Sequence, residues 1–300
     1  MAKLLQLLVF GLQLGSIYAL LAIGYTMVFG IIRMINMMHG DFLMIGAYAV
    51  FFAVSLLFGN QLIGPAAALL VLLISGSLTG AIGVGIERFA YKPLRARAPI
   101  SSMISAIGVG LFVENLFRII PFIGPNPKTA PKLIQDKTFS IGSVDVNLVS
   151  VVVIIFSIII MSILYYVIQN TNIGRQMRAV SCDKDASALM GSNVDNVVSA
   201  TFFIGAGLAA ISGAFYANRY PVLMVTMGST LGNKAFISAV VGGIGDIRGA
   251  VLGGFIMGLV EILVSSVLPD LAYGISFIVL VVILLFKPEG LLGKPQIEKV

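Results

Sequence analysis

The chain is poor in charge and in the side chains that usually carry chemistry. Only 11% of its 300 residues are Asp, Glu, Lys or Arg, where a soluble domain carries roughly a quarter. Tryptophan is absent, and there is one cysteine and one histidine. A single thiol, Cys182, excludes an internal disulfide and a multi-cysteine metal site. A single imidazole, His39, with no acidic cluster beside it excludes a zinc site. Nucleotide signatures are missing too. The stretch "GSTLGNKA" (228–235) has the wrong spacing for a phosphate-binding loop, and "GIGDIRG" (243–249) has no βαβ unit around it to form a dinucleotide site. No catalytic residue, metal or chain-bound cofactor is therefore expected.

What is present is apolar. Hydrophobic residues make up 58% of the chain, and the mean hydropathy is +1.04. Apolar runs fall at 4–32, 42–59, 62–86, 100–120, 148–169, 195–217, 236–268 and 271–286. A bilayer crossing takes about 20 such residues. This predicts an all-α polytopic membrane protein, with residues 1–300 forming one transmembrane domain. The first run follows Lys3 and reaches almost to Arg33, too long for a cleaved signal peptide, and reads as a span. The net charge of +6 lies in short connections between runs. Topology accounts for that charge, because cytoplasmic loops attract Lys and Arg; no nucleic-acid partner is implied.

The same rule orients the chain. Residues 87–99, with Arg88, Lys92, Arg95 and Arg97, are expected in the cytoplasm, as are 170–194. The proline-rich stretch 121–147 is expected outside as a folded cap. A basic tail (Lys287, Lys294, Lys299) belongs inside, so an odd number of crossings must separate it from residue 218. The simplest solution is an inward crossing over roughly 221–244, a turn at 245–248, then 249–268 outward and 271–286 inward. The crossing that holds Gly228, Gly232, Asn233 and Lys234 is not expected to be a regular apolar helix. The total is about eight or nine spans, with the N-terminus outside and broken helices near 36–46 and 228–249.

Polar groups within the apolar runs are the candidate site. Asn36, His39 and Asp41 fall within six positions in "INMMHGDFLMIGAY" (35–48). They are expected to satisfy backbone groups freed by a helix break, with His39 either bonding that backbone or lining a path through the bundle. Glu261 lies mid-run without a partner within a turn, and should face the bundle interior or a water-filled path, since a charge in lipid is costly. Lys234 joins this set. Glu114 and Arg118 are spaced for an i,i+4 pair, and Asp246 and Arg248 are close enough to pair with each other. Glycines recur at a spacing of four, notably Gly245, Gly249 and Gly253, with Gly254 and Gly258 beside them. Small residues at that spacing let helices approach closely in lipid.

The connection 170–194 carries apolar residues at spacings of three and four, which predicts an amphipathic helix over 174–191 starting after a helix end at Gly174. Its Ala, Leu and Met stripe suits a groove on a partner. Asp185, Ala186 and Ser187, followed at the right distance by Gly191, approximate the E-A-A-x-x-x-G pattern of importer permeases. Four stretches occur in the matching order: "NMMHGDFLMIGAY", "GRQMRAVSCDKDASALMG" (174–191), "KAFISAVVGGIGDIRGAVLGG" (234–254) and "PEGLLGKP" (288–295). Together they resemble the permease subunit of branched-chain amino-acid ABC importers, the Liv-type.

That resemblance implies a cytoplasmic (inner) membrane location and cargo of branched-chain or related amino acids. Permeases for urea and short amides share the scaffold and remain the alternative cargo. It also implies a second homologous permease, two ATPase subunits that bind ATP and Mg, and an external solute-binding protein. Gly174, Arg175, Arg178, Asp185, Ala186, Ser187 and Gly191 would then contact an ATPase. Two other classes are compatible with the residues alone: an ion-coupled secondary transporter with Glu261 as the coupling carboxylate, and a pore-forming scaffold.

Overall fold

The computed structural model describes residues 2–59, 63–95, 97, 99–134, 137–141 and 144–293. Lys294 and Lys299 of the basic tail lie outside the described residues. The helices are α1 (Ala2–Ile32), α2 (His39–Phe58), α3 (Pro65–Ile86), α4 (Pro99–Ile119), α5 (Leu148–Asn170), α6 (Asn172–Cys182), α7 (Lys184–Leu189), α8 (Val194–Arg219), α9 (Met227–Gly242), α10 (Ile247–Ser265) and α11 (Ile275–Phe286). A π turn (Glu87–Tyr91) and a 3-10 turn (Lys92–Leu94) prolong α3.

Seven of these helices are long and apolar enough to cross a membrane, and Ile275–Phe286 is a shorter apolar helix. With α9, whose 16 residues are mostly buried, that makes nine membrane-type helices among the described residues. Helix α1 is the hub. Residues 13–28 are buried on every face, as an all-round hydrophobic helix must be. It packs on α10, α8, α9 and α5. Helices α3, α4, α5 and α11 lie outside and present exposed Leu, Ile and Phe faces, including Leu73, Ile104, Ile163 and Leu285. Where bilayer surrounds a bundle these faces cost nothing, and they are the surface the apolar runs encode.

Within 121–147, β1 (Lys128–Thr129) pairs antiparallel with β4 (Val222–Leu223), and β2 (Thr138–Ile141) with β3 (Val144–Asn147). Asn218, near the end of α8, pins this segment: its Oδ1 accepts the Leu133 N–H at 2.7 Å and the Ile134 N–H at 3.2 Å.

Two places depart from regular spanning helices. Helix α1 ends at Ile32, and Arg33 adopts φ 58, the one non-glycine residue with positive φ among the described residues. The interruption expected near 36–46 thus lies at residues 33–38, and His39 and Asp41 occupy the first turn of the helix that follows. The second lies at 243–246, between α9 and α10. The expectation of an irregular crossing over 221–244 is corrected here. Residues 227–242 form a regular helix despite Gly228 and Gly232, because those glycines admit a neighbouring backbone rather than bend their own.

Helix α9 is short, 16 residues or about 24 Å, because the chain re-enters before it starts. Leu223, Val225 and Met227 are all buried. Residues 33–38 re-enter in the same way. His39 packs against Gly24, eight residues before the end of α1, so α2 begins about 12 Å inside the bundle.

Candidate functional site

The two re-entrant helices meet at their N-termini. A side chain on Gly40 would strike the backbone of Gly228 and Gly232, and a Cβ on Gly232 would sit 2.7 Å from Gly40 Cα. Both positive helix ends therefore converge deep inside the protein. Asp41 stands in that field: a Cβ on Gly228 would lie 2.7 Å from its Oδ1. An anion at this place is opposed by two helix dipoles, which explains why an acid is tolerated there.

His39 is fully buried, held between Gly24 and Gly205, with the Tyr25 ring 4.6 Å away and the Phe42 ring 5.7 Å away. Neither ring nitrogen has a hydrogen-bond partner among the described residues; nor do Asn36 Nδ2 and Asp41 Oδ1. Asn36 Oδ1 accepts from the Tyr91 hydroxyl at 2.9 Å. The expectation that these three side chains satisfy the broken backbone is therefore corrected. The His39 N–H bonds the Asn36 carbonyl and the Asp41 N–H the Met38 carbonyl, while the Ile32 carbonyl at the end of α1 accepts from Lys184 Nζ at 3.2 Å. A lysine from α7 thus caps α1, favourable at the negative end of the helix. These polar atoms stay buried without a partner among the described residues, which is rare in native interiors.

A second cluster forms between α1, α9 and α10. Glu261 Oε1 accepts from Lys234 Nζ at 2.6 Å, and Oε2 accepts from the Tyr18 hydroxyl at 2.9 Å. The Tyr273 ring lies 5.4 Å from the same ammonium. Lys234 and Glu261, two separate suspects in the sequence, are partners across 27 positions. Tyr18 and Tyr91 were not legible as site residues, because a tyrosine in an apolar run looks like any other core aromatic.

The glycines of 242–258 make this packing close. A side chain at Gly249 would collide with the Gly242 carbonyl group. One at Gly253 would strike the Ser238 oxygen, and one at Gly254 would come within 2.5 Å of Ala19 Cα. Gly245 differs: no described residue lies within 4 Å of its Cβ position, and its φ of 102 marks a turn. Asp246 and Arg248 do not pair as charges. Asp246 caps α10 by accepting the Arg248 and Gly249 N–H groups, and the Arg248 guanidinium instead meets the Tyr165 hydroxyl. The stretch after α11 closes this end, with the Leu291 and Leu292 N–H groups bonding the Val241 and Gly242 carbonyls, both at 2.9 Å.

At the end of the bundle bearing Arg33, the connection 170–194 is two helices rather than one. Asp183 breaks the predicted 174–191 helix by capping α7, its Oδ1 accepting the Asp185 and Ala186 N–H groups at 3.0 Å. The preceding helix ends at Asn170, not at Gly174. Gly174 lies inside α6, pressed on the Val167 and Ile168 carbonyls, and the Arg178 guanidinium also meets the Ile168 carbonyl. Met177, Val180 and Ser187 face inward, whereas Arg175, Asp185 and Ala186 are exposed. Leu189 and Met190 are 89% and 87% exposed at the tip, and Gly191 follows with φ 85. Beside them Glu87, fully buried in the π turn, pairs with Arg95 and accepts from Ser199 Oγ at 2.9 Å, while Asp195 holds Lys92 at 2.7 Å and Arg95 at 2.9 Å. Glu114 and Arg118 form their i,i+4 pair.

A bundle of spanning helices, with two helices that start inside it and meet end to end around polar groups, is the architecture of a membrane permease. A family profile described as the permease component of branched-chain amino acid transport systems matches residues 7–284, and the chain belongs to that family. It is 39% identical over 302 residues to the high-affinity branched-chain amino acid transport system permease protein BraD of Pseudomonas aeruginosa, covering 99% of this chain and 98% of that one. It is 38% identical to the corresponding protein LivH of Escherichia coli K12, covering 99% and 97%. A probable branched-chain amino acid permease, LivH of Methanocaldococcus jannaschii, is 27% identical over 93% of this chain and 89% of its own. The protein is a multi-pass component of the cytoplasmic membrane.

Proposed function

We propose that the chain is the transmembrane permease subunit of an ATP-binding-cassette importer that carries branched-chain or related amino acids inward. An external solute-binding protein delivers the cargo, and a second homologous permease completes the channel. Two separate ATPase subunits hold ATP and Mg. The observation that carries this reading is the near-full-length likeness to BraD and LivH, which extends through every helix of the bundle.

The geometry supports it. Alternating access needs discontinuous helices around a midplane site, and α2 and α9 supply them. Asn36, His39, Asp41, Lys234 and Glu261 then line the solute path. The end bearing Arg33, Lys92, Arg95, Arg175 and Lys184 faces the cytoplasm under the positive-inside rule. There α6 and α7 project between two spans with an apolar tip, the form of a helix that enters a groove on a partner. The test is reconstitution of the chain with its companion permease, ATPases and binding protein in liposomes. Uptake of leucine, isoleucine or valine that requires ATP and binding protein is the expected result; uptake driven by an ion gradient without ATP overturns it.

A further inference from the structure

Lys234 and Glu261 are opposite charges placed where lipid would make either one alone prohibitively costly. Lys234 lies eight residues before the end of α9, and Glu261 fourteen after the start of α10. These offsets correspond to about 12 and 21 Å from the cytoplasm-facing end, either side of the midplane of a core of about 30 Å. Their side chains keep 11% and 13% exposure, so the pair is not wholly enclosed by the described residues. Tyrosines surround it. Tyr18 bonds the carboxylate, Tyr273 lies against the ammonium, and Tyr216 and Tyr220, with rings 4.8 Å apart, stand within electrostatic reach of Glu261.

We propose that this pair recognises the zwitterionic head of an α-amino acid in transit, Lys234 taking the carboxylate and Glu261 the ammonium, while the neighbouring tyrosine rings contact the apolar side chain. The proposal rests on the amino-acid importer reading above and names the groups that do the recognising. Its chemistry is an exchange of partners. Before arrival the two charges neutralise each other at 2.6 Å; on arrival each gains one charge of the solute, so no charge is left unpaired at any stage. An uncharged solute, a sugar or an amide, cannot make that exchange and would have to strand both groups. Because one ion pair is traded for two of the same kind, net binding is weak, as a transport step requires for release.

The experiment measures ATP-driven leucine uptake and ATP hydrolysis by the complete importer in liposomes. The double variant Lys234→Met with Glu261→Gln removes both charges without stranding either. The expected result is normal assembly, with leucine uptake lowered by about tenfold or more. Leucine uptake within about twofold of wild type overturns the proposal. The swap Lys234→Glu with Glu261→Lys keeps an ion pair but reverses it relative to the neighbouring tyrosines. A solute-recognising pair leaves the swap assembled and still impaired; a merely structural pair restores uptake together with assembly, which overturns the proposal. Failure of both variants to assemble assigns the pair to folding and overturns it equally. If the wild-type importer carries no amino acid at all, the importer reading itself fails, a result distinct from wild-type uptake that the variants match.

Discussion

Replacing Gly253 with alanine adds one methyl group where two helices have no room for it. That carbon would strike the Ser238 carbonyl oxygen of α9 and lie 2.8 Å from Gly242 N and 3.0 Å from Gly242 Cα. Carbon atoms rest at about 3.5–4.0 Å and carbon against oxygen at about 3.3 Å, and the Ser238 oxygen would lie well inside that limit, so α9 and α10 must part by about 1 Å or more. The obstacles are backbone atoms, which cannot turn aside as a side chain can. Overpacking of this kind costs about 1–3 kcal/mol, and contact with backbone on three sides argues for the upper end. Alanine also favours the helix and narrows the unfolded ensemble, together about 1 kcal/mol in the other direction. That benefit is common to any helical glycine, so a control removes it. Gly85 in α3 and Gly108 in α4 have nothing within 4 Å of a built Cβ. Gly85→Ala and Gly108→Ala should hold or gain stability, whereas Gly253→Ala should fall below them by about 3 kcal/mol. Thermal unfolding of the assembled importer in detergent, with all three variants side by side, provides the comparison. A Gly253→Ala complex as stable as the two controls would refute the close-contact argument.

Three other outcomes follow from the geometry. Asp183→Ala removes the α7 cap and should cost about 1 kcal/mol locally; hydrogen exchange over 184–190 should accelerate, and unchanged protection there would count against the cap. Burial, together with nearby Arg95 and Arg33, pulls the Lys184 ammonium below its usual 10.5. The folded state therefore binds fewer protons than the unfolded one between that lowered value and 10.5, so the contribution of Lys184 to stability grows as pH rises through this window. The stability difference between wild type and Lys184→Gln should shift in favour of wild type on alkalinisation, and a flat profile would contradict it. His39→Leu should assemble normally, because neither ring nitrogen has a partner to lose among the described residues. It should nevertheless slow uptake if the imidazole lines the path; a leucine variant that transports like wild type removes His39 from that role.

The amino-acid sequence by itself determined the class of structure. Length and hydropathy of the runs place the helices, since each backbone group in lipid must be bonded within its own helix. Parity and the scatter of Lys and Arg require a turn near 245–248 and a separate helix after it, and α10 begins at Ile247. The polar cluster at 36–41 lies where α1 gives way to α2. Its purpose did not follow, because a helix break and the first turn of a re-entrant helix share the same residues.

Only the tertiary structure decided which groups meet. Lys184 finds the end of α1 across 152 positions, and Glu261 finds Lys234 and Tyr18 across 27 and 243. Local spacing reports neighbours within a turn or two of one helix, whereas these partnerships depend on crossing angles and depths set by glycine contacts between helices. Gly249, Gly253 and Gly254 looked alike with Gly245 in the sequence. Three of them admit a neighbouring backbone and the fourth supplies a positive φ, a difference that exists only once α9 and α10 lie against each other.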